Sequence, residues 1–366
     1  MRIMFCLGSM TKGGAERVIA NLSNEFCQEH SISIIVTPPD EPMYKLDNKI
    51  NFITLDKCND KKENIIVRTV KRIKRLRKII KNINPDIIVS LLPEPTYRVM
   101  IAKIGLSKKT IISVRNDPKV EYKKFLNKII MKILYPFADG FIFQTQEAKE
   151  YFGINIQKKS VIIPNPINEE FVCEKYKGER EKIVVTVGRL EEQKNQKMLI
   201  NAFSRLPSEF AEYKLIIYGD GTLRKELEKQ IKDLNLTERV KLPGEVDDIK
   251  NKIYKASLFV LSSDYEGMPN SLMEALTLGV PCISTDCPCG GPRFLIENNV
   301  SGFLIKQGNE EEMLNAIQKV LNSNKNEINE ITDKAQERMF NIKPSKINKK
   351  WIEFMKYVKE LKWLIL

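Results

Sequence analysis

Two carboxylates flank a turn in LSSDYEGMPNSLMEAL, residues 261–276, where Glu266 precedes Gly267 and Pro269 and Glu274 follows. An ionised carboxylate accepts hydrogen bonds at both oxygens, which suits hydroxyl-rich ligands. The N–H groups of Asn270, Ser271 and Leu272 stand at what reads as a helix start and could receive a phosphate. A plainer alternative stays open, because Ser271 and Glu274 have the spacing of a capping box before an apolar run. A second stretch, VTVGRLEEQKNQ (185–196), ends an apolar run in Gly188 and then carries Arg189 and Lys194. Arginine forks onto phosphate oxygens and lysine acts as a point charge. Two such cations could neutralise a departing diphosphate without metal, or be solvated loop charges.

The glycine stretch SMTKGGAERV (9–18) offers Gly13 and Gly14. It lacks the Lys-Ser/Thr of a phosphate-binding P-loop and the glycine spacing of a dinucleotide fingerprint. It reads as a strand-to-helix turn that lets a ligand approach the backbone closely. A metal centre is not expected. The sole histidine, His30, stands where a helix gives way to a strand, and Cys287 and Cys289 are a Cys-x-Cys pair without histidine.

Positioning these groups requires a scaffold, and short β-branched runs alternating with helical periodicity imply parallel βα units. Candidate strands are RIMFCL, SISIIVT, DIIVSLL, TIISV, GFIFQ and SVIIP, then KIVVTVG, YKLIIYG, RVKLPG, SLFVLSS and PCIST. The runs lack polar alternation, as expected of sheets covered on both faces. PNPINEEFVCEKYKGEREK breaks the rhythm and reads as a linker over 164–182. The expected organisation is α/β: a Rossmann-like domain over 1–163, a second over 183–343, and a terminal helix over 344–366 that packs toward the first. The doubly wound domains are expected to face each other across a cleft.

With 366 residues, two domains are the natural expectation. Seven scattered cysteines fit a reducing compartment. MRIMFCLG is too short in its apolar part for a secretory leader, and no run reaches the length of a membrane span, so a cytoplasmic location is expected. Residues 1–180 hold 32 Lys/Arg against 20 Asp/Glu, while 181–366 hold 28 against 27. The basic first half points to a polyanionic or membrane-surface partner. Nucleic acid is not expected, since no recognition motif or aromatic stacking platform appears.

GRLEEQKNQ, the later YGDG (218–221) and the two spaced glutamates resemble glycosyltransferase family 4. GGAERV, the VIIPNPIN stretch and the PGEVDDI loop extend the resemblance over nearly the whole chain. The resemblance implies a GT-B fold and a retaining transferase that uses a nucleotide-sugar donor, with UDP carrying a hexose or N-acetylhexosamine as the expected donor. It implies Arg189 and Lys194 on the donor diphosphate, Glu266 on the donor sugar, Glu274 on the ribose and the Gly244–Val246 loop near the base. It also implies Gly13 and Gly14 beside the reacting sugar and phosphate. No cofactor or metal is implied. A nucleotide-sugar 2-epimerase on the same fold and an inactive membrane- or nucleic-acid-binding module are the alternatives.

SVRNDP (113–118) departs from the pattern, because Arg115 stands about where many relatives carry a histidine. Arg115 can donate hydrogen bonds to the donor but cannot serve as a base near neutral pH. The resemblance extends to capsule and exopolysaccharide transferases that share an arginine–asparagine loop here, so a lipid-linked or polysaccharide acceptor in surface glycan assembly is implied.

Two basic amphipathic stretches complete the expectations. In 65–83, Ile66, Val70, Ile73, Leu76, Ile80 and Ile83 make one stripe, expected to pack on the sheet with eight solvated Lys/Arg around it. In 122–137, Lys124, Lys128 and Lys132 align beside a broad apolar surface. That second stretch is expected to rest on anionic lipid at the inner face of the cell membrane.

Overall fold

The computed structural model describes residues 1–11, 13–38, 41–56 and 64–361. Lys12 of the glycine stretch and the apolar WLIL at the end of the chain lie outside the described residues. The chain divides into two compact units, Met1–Asn165 with Ile347–Leu366, and Pro166–Lys346.

Among the described residues the first unit holds seven strands, β1 (Arg2–Cys6), β2 (Ser31–Val36), β3 (Asn51–Thr54), β4 (Ile87–Leu91), β5 (Lys109–Ser113), β6 (Gly140–Phe143) and β7 (Ser160–Ile162). All pair in parallel, in the order β3-β2-β1-β4-β5-β6-β7. The winding reverses between β1 and β4, which places their carboxyl ends at a switch point. Met4, Ile35, Ile88 and Val99 share a buried cluster with Leu76 and Ile80 of the helix Ile65–Ile83. Each such buried side chain contributes about 1.5–3 kcal/mol.

The expected stripe of that helix packs only in its second half. Ile66 and Val70 are 70% and 45% exposed, whereas Leu76 and Ile80 are buried. Several of its arginines are not simply solvated either. Arg77 donates to the carbonyls of Ala102 and Ile104 at 2.8 and 2.6 Å, and Arg75 to that of Leu55 at 2.8 Å. Periodicity counts charged residues as outward, but an arginine long enough to reach a strand or loop carbonyl satisfies it instead.

The second unit holds β8 (Glu181–Val187), β9 (Lys214–Tyr218), β10 (Val240–Gly244), β11 (Ala256–Leu261), β12 (Cys282–Thr285) and β13 (Phe303–Ile305). They form a parallel sheet in the order β10-β9-β8-β11-β12-β13. Its switch point lies between β8 and β11, where Val184 pairs with Leu258. Val184, Leu199, Phe203, Leu215, Leu258 and Ile283 lie in one buried cluster.

Among the described residues, β3, β13, the short helices Ile154–Lys158 and Gly291–Leu295 and the helix Lys325–Phe340 are among the elements outside the sequence expectations. The two strands are short and sit at sheet edges. The last of these helices opens with a capping box from Asn324 and Glu327. Residues 166–182 group with the second unit, and Phe171 within them is buried in a short helical turn. The terminal helix runs Pro344–Glu360 and buries Ile347, Trp351, Met355 and Val358. From Ile347 onward it groups with the first unit, where Phe354 and Val358 meet Gly140 of β6 and Lys359 pairs with Asp86 at 3.8 Å.

Candidate functional site

In the second unit, β8 and β11 are neighbours, so the loops leaving their carboxyl ends must run side by side. The β8 loop passes Gly188, Arg189 and a helical turn at Glu192–Lys194 before the helix Gln196–Ser204. The β11 loop carries Ser262, Ser263, Asp264, Tyr265 and Glu266. Several hydrogen bonds lock the two together. The Asp264 amide donates to the Gln193 carbonyl at 2.8 Å, and Ser262 Oγ to the Lys194 carbonyl at 2.8 Å. Gln193 Nε2 donates to the Tyr265 carbonyl at 2.9 Å. Asn195 Nδ2 donates to Asp264 Oδ1 at 2.9 Å from a left-handed backbone at φ 44°, a conformation asparagine tolerates.

This clamp brings Lys194 Nζ onto Glu266 Oε1. Ser263 Oγ donates to the same oxygen at 2.7 Å, and Gln193 Nε2 reaches Oε2 at 3.5 Å. The lysine stem lies across Gly188, where an added Cβ would sit 3.2 Å from Lys194 Cε. The Lys194 and Glu266 side chains are 17% and 9% exposed. An ammonium has three donors, so Lys194 keeps two for oxygens of an anion. Arg189 is different: its side chain is 63% exposed and its near charge is Glu191 at 3.5 Å. The two cations are thus one exposed guanidinium beside Glu191 and one lysine already oriented by a carboxylate.

After Glu266 the chain turns through Gly267 into the helix Asn270–Thr277. Gly291 allows this turn, because a Cβ there would run into the Gly267 carbonyl. The capping-box alternative does not hold. The N-cap residue is Pro269, with no side-chain cap bond, and Ser271 lies inside the first turn. The opening amides of Asn270, Ser271 and Leu272 therefore have no side-chain cap from the preceding residue. Glu274, 5% exposed, sits one turn into the helix. At the end of β10 the Gly244 carbonyl accepts from the Gly219 amide at 2.9 Å, and Val246 is half-buried beyond it.

The remaining expected residues lie in the first unit. Gly13 precedes the helix Gly14–Phe26, Glu16 folds over it, and Tyr44 donates to its carbonyl at 3.0 Å. Arg115 stands two residues past β5, 8% exposed, with its guanidinium 5.5 Å from the Trp351 ring centroid. Among the described residues none of its three nitrogens has a hydrogen-bond partner, and burial pushes its pKa down to about 10. Lys124, Lys128 and Lys132 are exposed on and beside the helix Phe125–Leu134.

Sequence reasoning missed Gln193, Ser262, Ser263 and the Asn195–Asp264 pair. Uncharged amides and hydroxyls carry no chemical flag until the facing loop is known. It also missed a polar cluster at the carboxyl ends of β2 and β3. There Arg72 grips Asp56 through Nε–Oδ1 at 2.6 Å and Nη2–Oδ2 at 2.5 Å, and Arg98 donates to Thr37 at 2.7 Å and Glu94 at 2.5 Å.

Comparison with known proteins agrees with this architecture in both halves. The model of "Glycosyltransferase Family 4" matches residues 12–171, and that of "Glycosyl transferases group 1" matches 168–338. A Campylobacter jejuni protein named GalNAc-alpha-(1->4)-GalNAc-alpha-(1->3)-diNAcBac-PP-undecaprenol alpha-1,4-N-acetyl-D-galactosaminyltransferase is 30% identical across 98% of this chain and 99% of its own. A second from the same organism, N-acetylgalactosamine-N,N'-diacetylbacillosaminyl-diphospho-undecaprenol 4-alpha-N-acetylgalactosaminyltransferase, is 29% identical over 87% and 89%. Among solved structures, HepE of Anabaena in complex with UDP superposes with a TM-score of 0.80 at 19% identity, covering 98% of this chain and 100% of the other. The shared fold is GT-B.

Proposed function

The chain belongs to glycosyltransferase family 4 and is a glycosyltransferase, and from that premise we propose that it moves a hexose or N-acetylhexosamine from a UDP-sugar to a hydroxyl of a lipid-linked glycan, with retention at the anomeric carbon. The observation that carries this reading is Lys194 held on Glu266 at the switch point, beside exposed Arg189 and the helix start at Asn270. Doubly wound sheets bind ligands at such points. The names of the two Campylobacter relatives, both acting on undecaprenol-linked diphosphates, support the acceptor class, and the UDP held by HepE supports the donor class.

In the proposed chemistry the bond from the anomeric carbon to the diphosphate oxygen breaks and the acceptor oxygen bonds to that carbon on the same face. The acceptor proton passes to a diphosphate oxygen, so no histidine base is needed. Arg189, the two remaining Lys194 donors and the amides of Asn270–Leu272 stabilise the charge growing on the leaving group, and no divalent metal is required. Glu266 orients Lys194 and accepts from sugar hydroxyls, and Glu274 accepts from the ribose. Arg115 offers a guanidinium that no acceptor among the described residues occupies. The basic first unit receives the acceptor, and the protein docks on the anionic inner face of the membrane through Lys124, Lys128, Lys132 and the neighbouring exposed Phe125 and Leu126. Among the described residues no helix is long and apolar enough to cross a membrane.

The test is thermal shift against a panel of nucleotide sugars, followed by transfer to a polyprenyl-diphosphate-linked sugar. A shift with one UDP-sugar and product formation that needs both substrates is the expected result. Turnover of the donor with no acceptor present would favour an epimerase, and no shift with any nucleotide sugar would overturn the reading.

A further inference from the structure

The crossover segments that return from the carboxyl ends of β5 and β6 leave a cavity of about 800 Å³ in the first unit. Met131 and Pro136 line it from the first segment, Phe152, Ile154 and Ile156 from the second, and Phe141 from β6. Four lysines, Lys128, Lys132, Lys158 and Lys159, also line it, and no acidic residue does. Lys159 donates to the carbonyls of Pro136 and Ala138 at 3.2 and 3.4 Å. Among the described residues the side-chain ammonium groups of Lys128, Lys132 and Lys158 have no ion-pair or hydrogen-bond partner.

We propose that this cavity binds an anionic phospholipid, with the hydrocarbon chain inside and the phosphate headgroup among the lysines. The volume falls in the range of small-molecule sites, whose walls are mostly apolar with a few convergent polar groups. Unpaired cations around an apolar interior complement an amphiphile that joins a tail to a negative head. The surface outside continues the same chemistry: Phe125, Leu126, Ile133 and Phe137 are 78%, 65%, 59% and 70% exposed. Contiguous apolar exposure of this kind marks a surface made for contact.

Location decides between two sources of such a ligand. Phe141 is the second residue of β6, and Lys158 and Lys159 directly precede β7. The cavity therefore lies toward the amino ends of these strands, whereas substrates of doubly wound sheets bind at the carboxyl ends. A membrane phospholipid fits that position and the reacting acceptor does not. The proposal deepens the membrane docking described above and rests on it for the source of the lipid.

The experiment titrates the full chain with dihexanoyl phosphatidylglycerol below its micellar concentration, so no membrane is needed. Its comparison variant is Gly153→Trp. Gly153 lines the cavity, has φ −64° and ψ 156°, and an added Cβ would meet no heavy atom within 4 Å. An indole there can occupy the cavity without backbone strain. The expected result is one lipid bound per chain, weakened about tenfold or more in Gly153→Trp at unchanged Tm. Absence of binding by the wild type, or equal binding by both proteins, would overturn the proposal. So would displacement of the phospholipid by farnesyl diphosphate at equal or lower concentration, which would assign the cavity to an isoprenoid acceptor. Sedimentation with phosphatidylglycerol vesicles separates the two readings: monomeric lipid bound by a protein that ignores vesicles would leave the cavity standing and remove the docking.

Discussion

Lys194 and Glu266 form an ion pair between the loops that follow β8 and β11, and the pair is mostly buried. Desolvating both charges offsets much of their attraction, so such a pair is better suited to orientation than to stability. Removing one partner is a different matter, because it strands the other charge.

Lys194→Ala should therefore lower stability by about 3 kcal/mol at most and reduce kcat/KM by about 10²-fold to 10³-fold. Adding Glu266→Gln should recover most of the Tm and none of the rate. Recovery of the rate with the Tm would make the pair purely structural.

Glu274→Gln should weaken nucleotide-sugar binding by about tenfold, the scale of a hydrogen bond to a charged acceptor. Isothermal titration measures this directly. Wild-type affinity in the variant would remove the proposed ribose contact.

Arg115 is a buried guanidinium without an acceptor among the described residues, an arrangement that costs folding free energy. Arg115→Met should raise stability by about 1 kcal/mol while reducing transfer. The sign with pH follows from a folded pKa lowered by burial to about 10, below the ordinary guanidinium value. Between these values the unfolded chain binds more protons, so the penalty holds below about 10 and is relieved as pH rises through it. A less stable Arg115→Met would mean that the guanidinium has a stabilising partner in solution.

Burial, and then the charge of Asp117, pushes the Glu121 carboxyl up to about 8 from 4.5. Here the folded state binds the proton more tightly. The contribution to stability is full below about 4.5 and is lost as pH rises through about 8. Glu121→Gln should match the wild type in acid and exceed its Tm above pH 8. Parallel Tm profiles for the two proteins would contradict the shift.

Replacing Lys124, Lys128 and Lys132 with glutamate should release the protein from phosphatidylglycerol vesicles, at about 1 kcal/mol per lysine removed. Rising salt should release the wild type in the same way. Vesicle sedimentation reads both, and unchanged binding by the triple variant would move the docking surface elsewhere.

Much of this protein is legible one residue after another. The apolar runs of β1, β2, β4 and β8 name their strands because buried parallel strands need continuous apolar sequence. Arg189, Lys194, Glu266 and Glu274 stand out because charge is visible without a fold. Local pattern was silent where the deciding contact came from far along the chain. Gln193 becomes a partner of Glu266, 73 residues away in sequence, only because β8 and β11 are neighbours. Helical periodicity placed Ile66 and Val70 in the core, but both are exposed at that end of the helix. Capping-box spacing at Ser271 and Glu274 yielded to Pro269, which starts the helix earlier. Trp351 reaches Arg115 across more than 200 residues because the terminal helix joins the first unit. Residue type and short-range spacing are properties of the chain itself. Burial, partners and the free valence of a charged group depend on what the remainder of the chain brings to it, and only the tertiary structure decides that.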